Sequence, residues 1–463
     1  MGKNLLFEAL SALKPAVLRA FDKFVRSPYF NTRPEPPLLL AYLSQCLDQS
    51  VAPEAEKAFA VIFPGQKYND ARLRMQNSAL LSLLDQFLAQ KEAESDERRQ
   101  KIRTARAYRK LQLPKHFQIA LREARAGVLA NPQRDALHFQ LLYEIEWETF
   151  QFESATKRTD ALNLQAPSDL LDAAFLLQKI RLACLTRTHE AVYNTQYHLE
   201  LLQPVLQAAE PAQEQSPALA LYLNCYRFLS DPEDLGAFNR LRTLLDAHAE
   251  VLPPDDLRTL FLLAINFAIK KLNSLEPGWL EATLALYRSA LEREILLENG
   301  VFSRFAFNNI VAIALRLGEL GWAENFVVQY KPLLERAYRE ATADLNLARI
   351  AYARRDLHTA LLHLQRADYK DTLNNLTAKT LQLKIFYETD AFDLLESHLK
   401  SMQTYIRRHT GIGYHRTNYS RIVYFTRQLL QLNFHDAASV ETFKKRLRAE
   451  PILTEKEWFL EKL

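Results

Sequence analysis

The chain has 463 residues, 48% hydrophobic and 25% charged, a balance that suits a folded, soluble protein and excludes both extensive disorder and a membrane-spanning class. Its 10 glycines, against about 32 at average usage, leave little material for phosphate-cradling loops or tight β-hairpins. The formal net charge of +4 conceals two strongly basic stretches. The longest uncharged apolar run, Thr259 to Ile269, lies between Arg258 and Lys270 and falls far short of the ~18 residues that a bilayer requires. Glu8 interrupts the start before a signal-peptide core develops, and Leu6 stands where a myristoylation signal needs Ser or Thr. Cys46, Cys184 and Cys225 are widely separated, odd in number and set among apolar neighbours, so they are expected to be reduced core residues of a cytoplasmic protein.

Apolar residues recur at helical spacing in nearly every segment, and prolines with turn residues divide the chain into helices of roughly 12 to 25 residues. The expected class is all-α. Short connections favour helical hairpins stacked as a right-handed α-solenoid, because each hairpin must bury its apolar face on the next.

Residues 1–90 form an N-terminal helical region. A helix ending near Val25 must stop at Ser27-Pro28, since Pro28 has no N–H and holds Ser27 extended. Tyr29 and Phe30 are expected to fold back as an aromatic plug, with Pro36 or Pro37 opening the next helix. The functional alternative is a phosphoacceptor at Ser27 or a docking aromatic pair. Leu80, Leu81, Leu84 and Leu88 then mark another helix.

Residues 91–305 read as irregular helical hairpins. From Arg98 to Arg134 eleven Lys or Arg face Glu123 alone, a net +10. Arg99, Arg103, Arg106 and Lys110 fall within ~60° of one another on a helix, with Ala105, Tyr108 and Leu111 on the opposite side. Asp135-x-x-His138, near Glu144 and Glu148, is the only acid-x-x-His, whereas a di-iron bundle needs two such pairs and two further carboxylates. A solvated helix face or a local ion pair is the expectation there. His189 heads "HEAVY" without a second His, and His358 and His363 are five apart, the wrong spacing for one metal on a helix. No catalytic, metal or cofactor residue is assigned, and the chain is expected not to be an enzyme, although a triad assembled from distant positions stays open.

Residues 306–400 repeat. Set 34 positions apart, Ile313 falls on Leu347, Ala314 on Ala348, Leu317 on Ala351, Phe326 on Ala360, Tyr330 on Leu364 and Leu333 on Ala367, and another step reaches Leu381, Ile385 and Leu394. This period, with a second helix opening near Gly321, resembles the tetratricopeptide repeat and is clearest over 308–400. A fainter echo runs through Ala107, Leu111, Ala120, Ala124 and Pro132. The opening phrase and the closing "EKEWFLEKL" are similar to uncharacterised all-helical bacterial proteins. The resemblance implies a helical-hairpin solenoid and no activity.

Residues 401–463 are basic helices with a capping helix. "TGIGYHR" from Thr410 lacks the preceding strand of a nucleotide site and reads as an interhelical loop. From Lys400 to Arg448 ten Lys or Arg face Asp436 and Glu441, a net +8. Tyr405, Tyr414, Tyr419 and Tyr424 interleave with Arg407, Arg408, Arg416 and Arg421, residue types that stack on bases and bind phosphate. Thr454-Glu455-Lys456-Glu457 is a capping-box sequence that should start a last helix with Trp458, Phe459 and Leu463 packed on the preceding hairpin. The expected function is a non-catalytic protein-protein interaction scaffold without cofactor, taking a protein or peptide partner of acidic character. Arg99, Arg103, Arg106, Lys110, Arg407, Arg408 and Arg416 are the candidate partner-binding residues. The alternative is a nucleic-acid-binding α-solenoid using the two basic stretches, and a solvated exterior paired with acidic neighbours, with the tyrosines buried, also remains open. No membrane partner is expected.

Overall fold

The computed structural model describes residues 5–156, 161–193, 195–273, 278–366, 371–409, 413 and 415–463. Their regular structure is all-α, apart from two 3-10 turns, a ladder pairing Leu297–Glu298 with Val301–Phe302 and one bridge from Phe302 to Leu334. Among the described residues no helix is long and apolar enough to cross a membrane. The chain divides into two compact units, 1–132 with 136–175 and 133–135 with 176–463.

The first unit contains α1 (Leu5–Ser11), α2 (Pro15–Arg26), α3 (Glu35–Asp48), α4 (Ala55–Ile62), α5 (Asp70–Ser95), α6 (Glu97–Lys110), α7 (Pro114–Ala130), α8 (Ala136–Thr156) and the start of α9 (Gln165–Tyr193). Ser27 is extended (φ −71°, ψ 124°) and ends α2, as Pro28 demands. Asn31 secures the corner by donating from Nδ2 to the carbonyls of Val25 and Arg33 at 3.0 and 2.9 Å. Phe30 stacks on Phe24 with centroids 3.9 Å apart, but Tyr29 is 87% exposed and meets Phe30 edge-on. The plug is one ring rather than two, because successive turn residues point to different sides. Ile102 and Ala105 of α6 bury against Phe117, Ala124 and Ile145. Leu111 lies just past α6 and is 66% exposed, so it is not part of that packed side.

The second unit continues α9 and adds α10 (Leu202–Ala212), α11 (Pro217–Ser230), α12 (Leu235–Ala247), α13 (Pro254–Asn273), α14 (Trp279–Glu292), α15 (Arg304–Arg316), α16 (Leu320–Tyr330) and α17 (Arg339–Ala353). It closes with α18 (Leu357–Arg366), α19 (Thr372–Glu388), α20 (Phe392–Arg408), α21 (His415–Leu430), α22 (Ala437–Ala449) and α23 (Lys456–Glu461). The helices from α11 to α20 pack in successive pairs. The pairs α15/α16, α17/α18 and α19/α20 share one turn. A residue in the left-handed region, Gly318 (φ 74°), Arg355 (φ 67°) or Asp390 (φ 53°), ends the first helix. The next N–H then returns to the carbonyl of Ala314, Ala351 or Phe386 at 2.9, 3.0 and 2.9 Å, satisfying a carbonyl that the helix end would leave unpaired.

Ala348 and Ala360 are fully buried in one cluster with Leu345, Leu364, Leu381 and Ile385, as their positions in the repeat predict. Gly318 and Arg355 stand 37 positions apart and Arg355 and Asp390 35, so a uniform 34-residue step does not hold: in the third copy Leu394 is 59% exposed and Leu395 is buried, a rotation of ~100° about the helix axis. Ala367 lies outside the described residues. All three cysteines are buried and free.

Candidate functional site

The first basic face meets acids on a neighbouring helix. Arg106 Nε and Arg109 Nε donate to the two carboxylate oxygens of Glu148 on α8 at 2.5 and 2.8 Å, and Arg99 stands 3.8 Å from Glu144. Glu148 is 2% exposed, so its charge is compensated by the two guanidiniums rather than by water. Arg125 pairs with Glu146 at 2.6 Å. Of the four face residues, Arg103 and Lys110 remain exposed, and Arg103 reaches the Ala93 carbonyl at 3.5 Å. Glu144 and Glu148 are ion-paired, but across helices rather than locally along α8, with cations from the basic stretch itself. Buried His138 lies edge-on to Phe139 at 5.2 Å. Among the described residues no three His, Cys, Asp or Glu side chains gather as metal ligands would.

The second basic stretch is more open. Arg416, Thr417, Ser420, Arg421 and Tyr424 line a depression of 430 Å³ on one face of α21, and Arg446 of α22 donates to the Tyr424 hydroxyl. Arg421 pairs with Glu450 at 3.3 Å; Arg407, Arg408 and Arg416 are exposed. The tyrosines divide. Tyr419 is buried with its hydroxyl 3.0 Å from Thr377, Tyr405 stacks on His409 at 4.1 Å, and Tyr424 is exposed. Tyr414 and most of the Gly-x-Gly loop lie outside the described residues.

A third surface, on α15, α17 and α19, is the most elaborate. At their N-terminal ends α15 and α19 touch directly: Arg304 bonds Asp371 at 3.1 Å and Asn308 Nδ2 donates to Asn374 Oδ1 at 2.9 Å. Asn346 of α17 joins them, donating to Asn308 Oδ1 at 2.7 Å. Toward the C-terminal ends residues 453–463 stand between the same helices. Glu455 pairs with Lys384 of α19 at 2.9 Å, and Glu457 lies 3.6 Å from Arg316 of α15.

Trp458 Nε1 donates to Glu388 at 2.9 Å, and that carboxylate also receives Tyr352 Oη at 2.7 Å and Lys462 Nζ at 2.7 Å. Burial pushes the Glu388 carboxyl up, but the hydrogen bonds from Lys462, Tyr352 and Trp458 outweigh it and hold the group below its ordinary value. Burial lowers the Arg349 guanidinium while Glu455 raises it.

The anchor of this segment differs from the expected capping box. Thr454 does not cap α23; its N–H donates to Asn418 Oδ1 at 2.9 Å and its Oγ1 accepts from Asn418 Nδ2 at 3.1 Å. Asn418 outcompetes the local cap because it offers both a donor and an acceptor. Trp458 and Phe459 are buried, and Leu463 packs against the same cluster, as the sequence indicates. Their neighbours extend beyond the preceding pair, with Trp458 5.5 Å from Tyr387 and Phe459 6.1 Å from Phe425.

Sequence reasoning over charge density passed over Arg316, Arg349 and Lys384. Their signal is spacing rather than number, since they recur 33 and 35 positions apart, close to the repeat period. Compared with known proteins, the chain matches no family model, no curated protein and no solved structure.

Proposed function

We propose that the chain is a non-catalytic protein-recognition scaffold. The reading takes the α15 to α20 pairs as tetratricopeptide-like hairpins of an α-solenoid, whose first helices α15, α17 and α19 supply the recognition surface. One observation carries it: that surface offers a column of cations, Arg316, Arg349 and Lys384, beside the acceptor Glu388, and a helical peptide of the chain itself lies along it. Cations flanked by aromatic side chains suit an acidic, aromatic-bearing protein segment. The test is crosslinking and pull-down after nuclease treatment, with Lys384→Glu and Arg349→Glu beside wild type. A partner retained after nuclease and lost on charge reversal supports the scaffold; a partner released by nuclease overturns it.

The nucleic-acid alternative draws on the exposed α21 face, where Arg416, Arg421 and Tyr424 combine phosphate-binding and stacking side chains. Pairing of Arg99 and Arg106 with acids leaves the α6 face less charge to offer. Replacing Arg416, Arg421 and Arg446 by Glu should reduce the slope of log K against log salt concentration for single-strand binding by about 2, at about 0.7 per phosphate. Wild-type protein without measurable oligonucleotide binding at low salt excludes this alternative.

A further inference from the structure

We propose that residues 453–463 are a displaceable resident ligand, and that the α15–α17–α19 surface takes in trans a peptide of the same chemistry, with a carboxylate three residues before a Trp-Phe pair. This inference deepens the scaffold reading and rests on it.

Three observations carry it. The segment makes its polar contacts through groups that a peptide from elsewhere could also supply: Thr454 on Asn418, Glu455 on Lys384, Glu457 near Arg316, and the Trp458 indole and Lys462 on Glu388. The segment also buries Trp458 and Phe459 beside Tyr387 and Phe425, so it joins aromatic anchors to ionic partners as a bound peptide does. Arg349 bonds the Asn308 carbonyl at 3.3 Å and Asn346 Oδ1 at 3.5 Å, two neutral acceptors, while Glu455 supplies the carboxylate charge that acts on it. A cation held in a half-buried site by neutral groups is a receptor for an acid from outside the helix pairs. The connection is also short: α22 ends at Ala449 and the segment begins at Leu453. So brief a tether gives the segment an effective concentration of order 1 mM, enough to exclude weak competitors and admit strong ones.

The step is an exchange of one peptide for another, with no covalent change. In the closed chain the apparent affinity for an outside peptide is reduced by the fraction of molecules whose surface is vacant. For an intrinsic dissociation constant of about 10 µM against ~1 mM effective concentration, the reduction is about a hundredfold.

The experiment uses the full chain and a fluorescein-labelled peptide of residues 451–463 as probe. Glu455→Lys sets the chain's own segment against Lys384 and should release it. The expected result is anisotropy binding of the probe about a hundredfold tighter to Glu455→Lys than to wild type, with far-UV circular dichroism unchanged. Adding Lys384→Glu to Glu455→Lys should re-form the pair with reversed sign and return probe binding to the wild-type level.

Glu455→Lys chains that stay folded yet bind the probe no tighter than wild type overturn the proposal. Should Glu455→Lys fail to fold, Trp458→Ala provides the second route to release, read in the same way. If both variants unfold, the segment is an integral part of the core and the proposal is overturned. The scaffold reading has its own test in the nuclease-resistant pull-down, whose result does not depend on release of the segment.

Discussion

Arg106 donates from Nε to Glu148 Oε1 across 2.5 Å, from one helix of the first unit to another, and Arg109 occupies the second oxygen. The arrangement is asymmetric, since Glu148 is sealed from water while the Arg106 side chain is 41% exposed. Removing the acid lets both cations turn to solvent, so Glu148→Ala should cost about 1.5–3 kcal/mol in lost charge-assisted bonds. Arg106→Ala with Arg109→Ala strands a buried carboxylate and should cost about 3–5 kcal/mol. Urea unfolding measures both. The reverse order would show that water reaches Glu148.

The shared turn of the three helix pairs predicts a gain. Gly318 occupies the left-handed position in one pair, and Arg355 and Asp390 occupy it in the next two. A side chain there costs about 1–2 kcal/mol, partly offset by the greater unfolded-state freedom of glycine. Arg355→Gly and Asp390→Gly should each stabilise the protein by about 0.5–1 kcal/mol, seen as a higher melting temperature. A loss from either would mean that the turn is held by its side chain rather than merely tolerating it.

Ala348 and Ala360 have no accessible surface. Arginine at either position overpacks the helix contact and buries an unpaired charge, for an expected loss of roughly 3–5 kcal/mol or local unfolding. Wild-type stability in both variants would place the two helix faces in another register.

Acid should loosen residues 453–463 selectively. The Glu388 carboxyl titrates below its ordinary value in the folded chain. The stability it contributes is therefore present above the unfolded value of about 4.3 and is lost as pH falls through the lower folded value. Emission from Trp458, obtained as the difference between wild type and Trp458→Phe, should shift to the red as pH falls through that lowered value. Glu388→Gln should abolish the step. A difference spectrum with the same acid transition in Glu388→Gln would assign the release to another carboxylate.

Helical class, the break at Ser27, the buried alanines at 348 and 360 and the closing aromatic helix were all legible in the sequence, because each depends on local periodicity or on a backbone constraint. What escaped was the identity of the partners. The charge run from Arg98 to Arg134 shows that α6 is basic, but not that Glu144 and Glu148, some forty residues on, are folded against it. Thr454 carries a local capping signal that the distant Asn418 overrides. Leu394 was misplaced by a single residue because a fixed 34-residue step ignores small changes in turn length.

The corner after α2 offers a direct contrast between adjacent aromatics. Phe30→Ala removes a stacked, half-buried ring and should cost about 1–2 kcal/mol. Tyr29→Ala should change stability by less than about 0.5 kcal/mol. Thermal melts of the two variants check this; equal losses would place Tyr29 in a contact of its own.

Asn308 sits between Asn346 and Asn374, donating to one and accepting from the other. Apolar contacts between helices are non-directional. An amide chain across three helices adds directional bonds, which weaken as soon as the helices shift relative to one another. Under torsion or pull this part of the chain should behave as a stiff hub, with strain diverted to the pairs on either side of it.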